Sequence, residues 1–401
     1  MEHNFYHVRL QDCSRLMRIL ISPLDWGLGH ATRDIPIIRA LRRAGHEVII
    51  FASGAGRRLL QGEFPDLEIG ELPSYSMSYS KSKALLPFWL LAQLPVFIFS
   101  VFRERRLVND LVRDHRIDLI ISDGRYGLKT ALVPCIFITH QLCILPPGPN
   151  WLRSLLSAPI QSLNRFALRD FKKIWVPDFP GAVNLSGRLG HPNPAWPPVQ
   201  YIFPLCRFRE NSLPWNRPAE IDAKDLKIDL LALVSGPEPQ RTVFEKMLTE
   251  ALKKMSGTRA LVRGLPGQPV GAHRDAPLRE LPRQMVRENE LNVFDHLSGN
   301  DLTQFLAAAD KVVCRSGYTS VMELAGLGKR NILLIPTPGQ PEQEYLGKHL
   351  QKMGLAECQE QEAFSIEIGL HTAAELPGFA LLFQNSETQT NTSDLVKSFV
   401  L

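Results

Sequence analysis

Short apolar runs alternate along the chain with longer stretches of helical period. Arg18–Ser22 (RILIS) is the first run, and Ala31–Arg43 follows with Ile35, Ile37, Ile38 and Leu41 on one helical face. Ala44-Gly45-His46 ends that helix, and Glu47–Ala52 is the next run. Further strand-like runs stand at Ile117–Ser122, Pro134–Thr139, Lys173–Val176 and Val199–Phe203, with a helix predicted over Leu152–Phe171. The rhythm restarts at Lys227–Val234. Strands at Thr258–Val262, Leu291–Phe294, Lys311–Cys314 and Ile332–Ile335 then alternate with helices at Arg241–Met255, Asp301–Ala309, Thr319–Leu327 and Glu344–Met353. Strand and helix in strict alternation predict parallel sheets covered by helices, twice over. Between the halves lie Pro192, Pro194, Pro197, Pro198, Pro214 and Pro218, and a polar stretch over Arg207–Lys227. The expected organisation is α/β: two Rossmann-like domains facing across a cleft, at 17–205 and 228–375, joined by a linker at 206–227. A tail at 376–401 follows, in which Ser393–Leu401 is a candidate helix crossing back to the first domain.

Composition narrows the function classes. A chain of 401 residues suffices for two domains that each bury a core. A net charge of +5 suits an anionic small substrate or an anionic membrane surface. No basic run with interleaved aromatics is present, so nucleic acid is not an expected partner. The six cysteines lack Cys-x-x-Cys spacing and several sit in apolar runs, which points to free thiols in a reducing compartment and to no metal site. The first sixteen residues read as a loose extension without a secretory signal, and a cytoplasmic location is the expectation.

Candidate chemistry sits where strands end. Asp25-Trp26-Gly27-Leu28-Gly29-His30 is a glycine loop opening the first helix, but Thr32 stands where a dinucleotide fingerprint needs its third glycine. Phe51-Ala52-Ser53 at the second strand's end offers no acid for a ribose, so NAD is not expected. Asp123, Arg125, His140 and Gln141 end successive strands and converge on the crevice of such a sheet. In the second half, Ser235-Gly236 and Arg315-Ser316-Gly317 each lead into a helix, where unsatisfied N–H groups and the helix dipole favour phosphate. Pro237 and Pro239 remove donors from the first of these loops, and Arg241 is a candidate replacement ligand. Glu323 lies two turns into its helix, within reach of a ribose beyond the phosphates. No Asp-x-Asp is present to hold a metal-bound diphosphate.

Residues 84–102 form the most apolar stretch, broken by Pro87, Gln93 and Pro95 and flanked by Lys81, Lys83, Arg103, Arg105 and Arg106. It reads as a membrane span, a buried helix pair or an interfacial element on anionic lipid.

Residues 312–344 carry a family resemblance. Arg315-Ser316-Gly317, Ser320, Glu323-Leu324-Ala325, Gly328, Pro336 and Gln343 resemble the donor-nucleotide signature of the MurG family, and more broadly the C-terminal half of two-domain inverting glycosyltransferases of the GT-B fold. The resemblance implies a UDP-sugar as donor substrate, with no further cofactor. It also implies a ribose held by Glu323, a diphosphate at Ser316, Gly317, Tyr318 and the Ser235-Gly236 loop, and sugar hydroxyls read by Gln343. Glu344 stands where the family has a second glutamine, which leaves the sugar open. The loop containing Gly27 and Gly29 is similar to the family's acceptor loop, and His140-Gln141 is similar to its His-Glu-Gln stretch. His30 is then the first candidate for general base, with Asp25 as partner or runner-up. Arg241 or Arg315 would stabilise the leaving diphosphate. A lipid-linked acceptor and a peripheral place on the cytoplasmic membrane face are further implications. A UDP-sugar hydrolase, a 2-epimerase and a non-catalytic nucleotide-sugar binder remain alternatives on the same fold.

Overall fold

The computed structural model describes residues 16–75, 86–192, 199–209, 218–219, 221, 223, 226–265, 290–297 and 299–383. Two parallel sheets organise them. The first contains β1 (Arg18–Pro23), β2 (Glu47–Ala52), β3 (Ile69–Glu71), β4 (Leu119–Asp123), β5 (Cys135–Ile138), β6 (Lys173–Val176) and β7 (Val199–Tyr201), in the order β3-β2-β1-β4-β5-β6-β7. Its helices are α1 (Gly29–Arg43), α2 (Gly54–Glu63), α3 (Leu86–Asp114) and α4 (Asn150–Leu168). The second sheet contains β8 (Ile228–Leu233), β9 (Arg259–Val262), β10 (Leu291–Phe294), β11 (Ala309–Cys314), β12 (Ile332–Leu334) and β13 (Glu357–Cys358), in the order β10-β9-β8-β11-β12-β13. Around it lie α5 (Gln240–Lys253), α6 (Gly299–Ala308), α7 (Tyr318–Gly326), α8 (Pro341–Lys352) and α9 (Ile366–Ala374).

The strand runs are apolar on both faces because helices cover both faces. Ile21 pairs with Ile50 on one side and Ile121 on the other, and all three are fully enclosed. Strand order reverses direction between β1 and β4 in one sheet and between β8 and β11 in the other. Loops leaving these strands diverge to opposite faces and open a crevice between them. The loops singled out in the sequence, at 24–29, 123–127, 234–240 and 315–317, all leave these four strands.

The two halves are not independent bodies. One hydrophobic cluster runs from Ile19 and Ile121 through Phe203, Leu205 and Cys206 to Met322, Val312 and Leu334. The Leu205 amide approaches Met322 Sδ at 3.3 Å. Five cysteines among the described residues are free, and burial pushes the thiols of Cys206, Cys314 and Cys358 up to about 12.

Two expectations change, and a third falls outside the described residues. Residues 86–114 form one helix, neither a pair of helices nor a wholly buried element. Ser100, Glu104, Val108 and Val112 face the protein, whereas Leu94, Val96, Ile98, Phe99 and Phe102 face outward. The helix expected from Glu344 begins at Pro341, which suits the first turn because proline lacks the N–H that is unpaired there. The candidate helix at 393–401 lies outside the described residues.

Candidate active site

The loop after β1 delivers His30 to the first turn of α1, and the end of β4 delivers Asp123 beneath it. His30 Nδ1 is 3.1 Å from Asp123 Oδ1, and the imidazole keeps a fifth of its surface open (20% exposed). Gly124, at φ +78°, makes this approach possible: a Cβ there would stand 2.9 Å from His30 Cε1. Burial and the neighbouring Arg33 push the His30 pKa below its ordinary value, with Asp123 opposing them.

Arg33 and Asp34, one turn along the same helix, were not among the residues expected here. Arg33 is buried and donates from Nε to Asp123 Oδ2 at 2.7 Å and from Nη2 to Asp123 Oδ1. Its Nη2 also lies 2.9 Å from His30 Nδ1, and its Nη1 lies 3.1 Å from His140 Nδ1. Asp34 is fully enclosed beside Asp123, and its two oxygens meet no N–H donor among the described residues. Burial and the Asp123 charge push its carboxyl well above the ordinary range, while Arg33 and His30 hold Asp123 below it despite burial. Of the carboxyl pair, Asp34 is the member whose surroundings favour the protonated form. Their signal in the sequence was a charged pair, Arg33-Asp34, in a helix whose following residues are apolar.

The second domain closes over this cluster. His140 Nε2 is 2.7 Å from Glu342 Oε1 in the first turn of α8, and the imidazole stacks on Tyr318 at 4.1 Å and 2°. Burial opposes ionisation of Glu342, and His140, His30 and Arg33 outweigh it. Tyr318 donates its hydroxyl to the Pro177 carbonyl at 2.9 Å, and Thr319 Oγ1 donates to the Gly29 carbonyl at 3.1 Å. A Cβ at position 29 would stand 2.9 Å from Thr319 Oγ1 and would have to displace that hydroxyl. Gly27, at φ +82°, turns the loop, and Gln141 Nε2 lies 3.5 Å from His140 Nε2. Glu342 was missed because the helix was expected to start two residues after it.

On the donor side, Gly317 precedes the first turn of α7 and no side chain caps that turn. The Ser316 hydroxyl donates to the Gln343 carbonyl at 2.8 Å, and Ser320 is half-buried. Gln343 Oε1 accepts the Thr337 amide at 2.9 Å. Glu344 Oε1 accepts the Gly339 amide at 2.9 Å, and Glu344 Oε2 is 3.6 Å from Arg153 of α4. Glu323 is buried, which raises its pKa, and an ion pair with Arg207 opposes that rise (Nε to Oε1, 2.6 Å). Ser235 and Gly236 lie at the end of β8, with Gly236 exposed at φ +108°.

Four expected site residues are committed elsewhere. Arg315 is enclosed over the Phe244 ring and donates to the carbonyls of Ile335 and Pro336 and to Gln361 Oε1, and burial lowers its pKa to about 9. Arg241 pairs with Glu238 and Glu245, both at 2.6 Å. Arg125 is locked in the core by Glu104, Ser53 and the Pro23 carbonyl. Asp25 accepts from the Ser74 hydroxyl and the Tyr75 amide, so the carboxylate that reaches His30 is Asp123. Most of the N–H groups of these three guanidinium groups are already engaged by carbonyls, carboxylates and other acceptors of the protein itself.

Comparison with known proteins agrees with this geometry. Residues 270–379 match the glycosyltransferase family 28 C-terminal domain, and residues 17–145 match a glycosyl transferase family 1 model. An "uncharacterized glycosyltransferase" of Methanosarcina mazei is 24% identical over 341 residues, covering 82% of each chain. Among solved structures, the glycotransferase of kitacinnamycin superposes with a TM-score of 0.61 at 14% identity, over 96% of this chain and 99% of that one. Acinetobacter baumannii MurG gives 0.52 at 15% over 96% and 99%, and the spinosyn rhamnosyltransferase SpnG complexed with thymidine diphosphate gives 0.55 at 15% over 96% and 100%. The chain has the two-domain GT-B fold of glycosyltransferases, and within its second half residues 270–379 are similar to the family 28 C-terminal domain.

Proposed function

We propose that the protein transfers a hexose from a UDP-sugar to an acceptor hydroxyl by a single inverting displacement that needs no metal. The observation that carries this reading is the meeting of the His30–Asp123 pair of the first domain with the start of α7 and Glu342 of the second, within one cleft. The acceptor oxygen attacks the anomeric carbon while the bond to the diphosphate breaks. The acceptor proton passes to His30 Nε2, and Asp123 stabilises the imidazolium. UDP leaves toward the uncapped N–H groups of Tyr318, Thr319 and Ser320 and toward the Ser235-Gly236 loop, fixed donors aimed at developing charge. A ribose bound at Glu323 would take the place of the Arg207 side chain. Glu342 and Gln343 are the side chains available for the sugar hydroxyls.

A lipid-linked acceptor met at the cytoplasmic membrane face is supported by an outward apolar surface. Phe99 (66% exposed) and Phe102 of α3 stand out from the protein, as do Trp151 (69% exposed), Leu155, Leu163 and Phe166 of α4. Arg103, Arg105, Arg106, Arg165 and Arg169, on or just after the same two helices, are exposed as well, and Arg105 of α3 lies 3.6 Å from Asp170, two residues past α4. Exposed apolar side chains together with exposed arginines match an anionic bilayer.

The test is calorimetric binding of UDP, GDP, dTDP, ADP and NAD to the wild type and to Glu323→Ala. Selective UDP binding, weakened by about 1–3 kcal/mol in the variant, is expected. No UDP binding, or binding indifferent to Glu323, would refute the donor assignment.

A further inference from the structure

Arg33 sits at the centre of the cluster with every arm engaged. Two of its N–H groups hold Asp123, and Nη2 and Nη1 lie against Nδ1 of His30 and of His140. A guanidinium has only donors, so a ring nitrogen at 2.9–3.1 Å from it must be the acceptor. Two N–H groups pointing at each other across that distance would repel. An imidazole whose Nδ1 accepts carries its proton on Nε2. For His140 this fits the other side of the ring, where Nε2 can donate to Glu342 Oε1 at 2.7 Å. For His30 it leaves Nε2, the nitrogen assigned above to the acceptor proton, without a lone pair to take it.

We propose that Arg33 is a positioning residue that holds His30 in its Nε2–H tautomer in the ligand-free protein, a lock on the base. The inference rests on the reading of His30 as general base. Unlocking needs Nη2 to turn away from His30 Nδ1. Asp123 Oδ1, at 3.1 Å, then accepts an Nδ1–H. One proton leaves Nε2 to solvent and one arrives at Nδ1 from solvent, so the ring stays neutral and gains its basic site. The groups facing His30 and Arg33 are Asp34 on α1, Asp123 at the end of β4, His140 after β5, Tyr318 on α7 and Glu342 on α8. The Arg33–His140–Glu342 chain crosses between the domains, so a sugar hydroxyl that draws Glu342 away would loosen the far arm of the same guanidinium.

The experiment is long-range proton–nitrogen correlation spectroscopy of full-length, ligand-free protein with nitrogen-15 histidine. The sample is held at about pH 8.5, above the ordinary histidine range. His30 is assigned by the resonances missing from His30→Gln. The expected wild-type spectrum has His30 protonated at Nε2 and bare at Nδ1, and Arg33→Lys moves the proton to Nδ1. A wild-type His30 protonated at Nδ1 overturns the proposal, as does an Arg33→Lys spectrum with the proton still on Nε2. Should Arg33→Lys fail to fold, the wild-type spectrum decides alone. None of these outcomes depends on nucleotide binding, so failure of the lock and failure of the donor assignment are separable.

Discussion

Replacing Arg125 with methionine separates a core role from a place in the acceptor cleft. The guanidinium is wholly enclosed and donates to the carbonyls of Pro23 (2.7 Å) and Pro73 (3.2 Å), to Ser53 Oγ (2.8 Å) and to Glu104 Oε1 (2.5 Å). Methionine fills the aliphatic shaft but returns none of these bonds. Glu104, also fully enclosed, keeps the Tyr75 hydroxyl at 2.6 Å and the Gly127 amide, both uncharged donors. Removing one partner of a buried pair strands the other charge and costs about 3–5 kcal/mol. Native-state hydrogen exchange at the amides of Ile21 and Ile121 reports the stability of the first sheet without requiring the whole chain to unfold as one unit. Their protection is expected to fall by about two to three and a half powers of ten, since 1.4 kcal/mol is a factor of ten. Burial already raises the Glu104 pKa against Arg125, and losing Arg125 raises it further. The cost of the variant therefore grows as pH rises through that range and shrinks when Glu104 is protonated. Adding Glu104→Gln should recover part of the loss. Unchanged protection in Arg125→Met, with acceptor use abolished, would refute the core reading and restore Arg125 to the cleft.

Asp34→Asn should gain stability over the wild type as pH rises. The folded-state pKa of Asp34 is raised, so between the unfolded value near 4 and the folded value the native protein binds the extra proton. Wild-type stability then falls by up to about 1.4 kcal/mol per pH unit on this account, and the variant lacks that slope. Paired urea melts at pH 5 and pH 7 measure it, and parallel slopes would contradict the protonated assignment. Phe99→Asp and Trp151→Asp, each on an exposed face, should leave folding intact and weaken flotation with phosphatidylglycerol vesicles at least about tenfold. Equal flotation of wild type and variants would remove α3 and α4 as a lipid surface.

The sequence by itself determined most of the architecture, because periodicity and loop chemistry are local. Apolar runs flanked by helical stretches require parallel strands, and chain order then puts the loops after β1, β4, β8 and β11 at two crevices. His30 and Ser316 were legible for that reason, each standing where a strand loop meets a helix. What decided the chemistry was pairing across long separations, which no local pattern records. Asp25 was the expected partner for His30, and Asp123 only a lining residue of the crevice, until β4 was laid beside β1, which brings that carboxylate, 93 positions away in sequence, to 3.1 Å. Arg315, Arg241 and Arg125 looked like phosphate or substrate ligands because an arginine beside a turn carries the same code whether it faces solvent or carbonyls. In the fold each is buried against acceptors of the protein itself. Arg33 and Asp34 show the converse: a charged pair on a helix reads as a solvated face. Only packing α1 between β4 and the second domain buries it, and burial raises the Asp34 carboxyl while it sets Arg33 against Asp123 and the Nδ1 of His30.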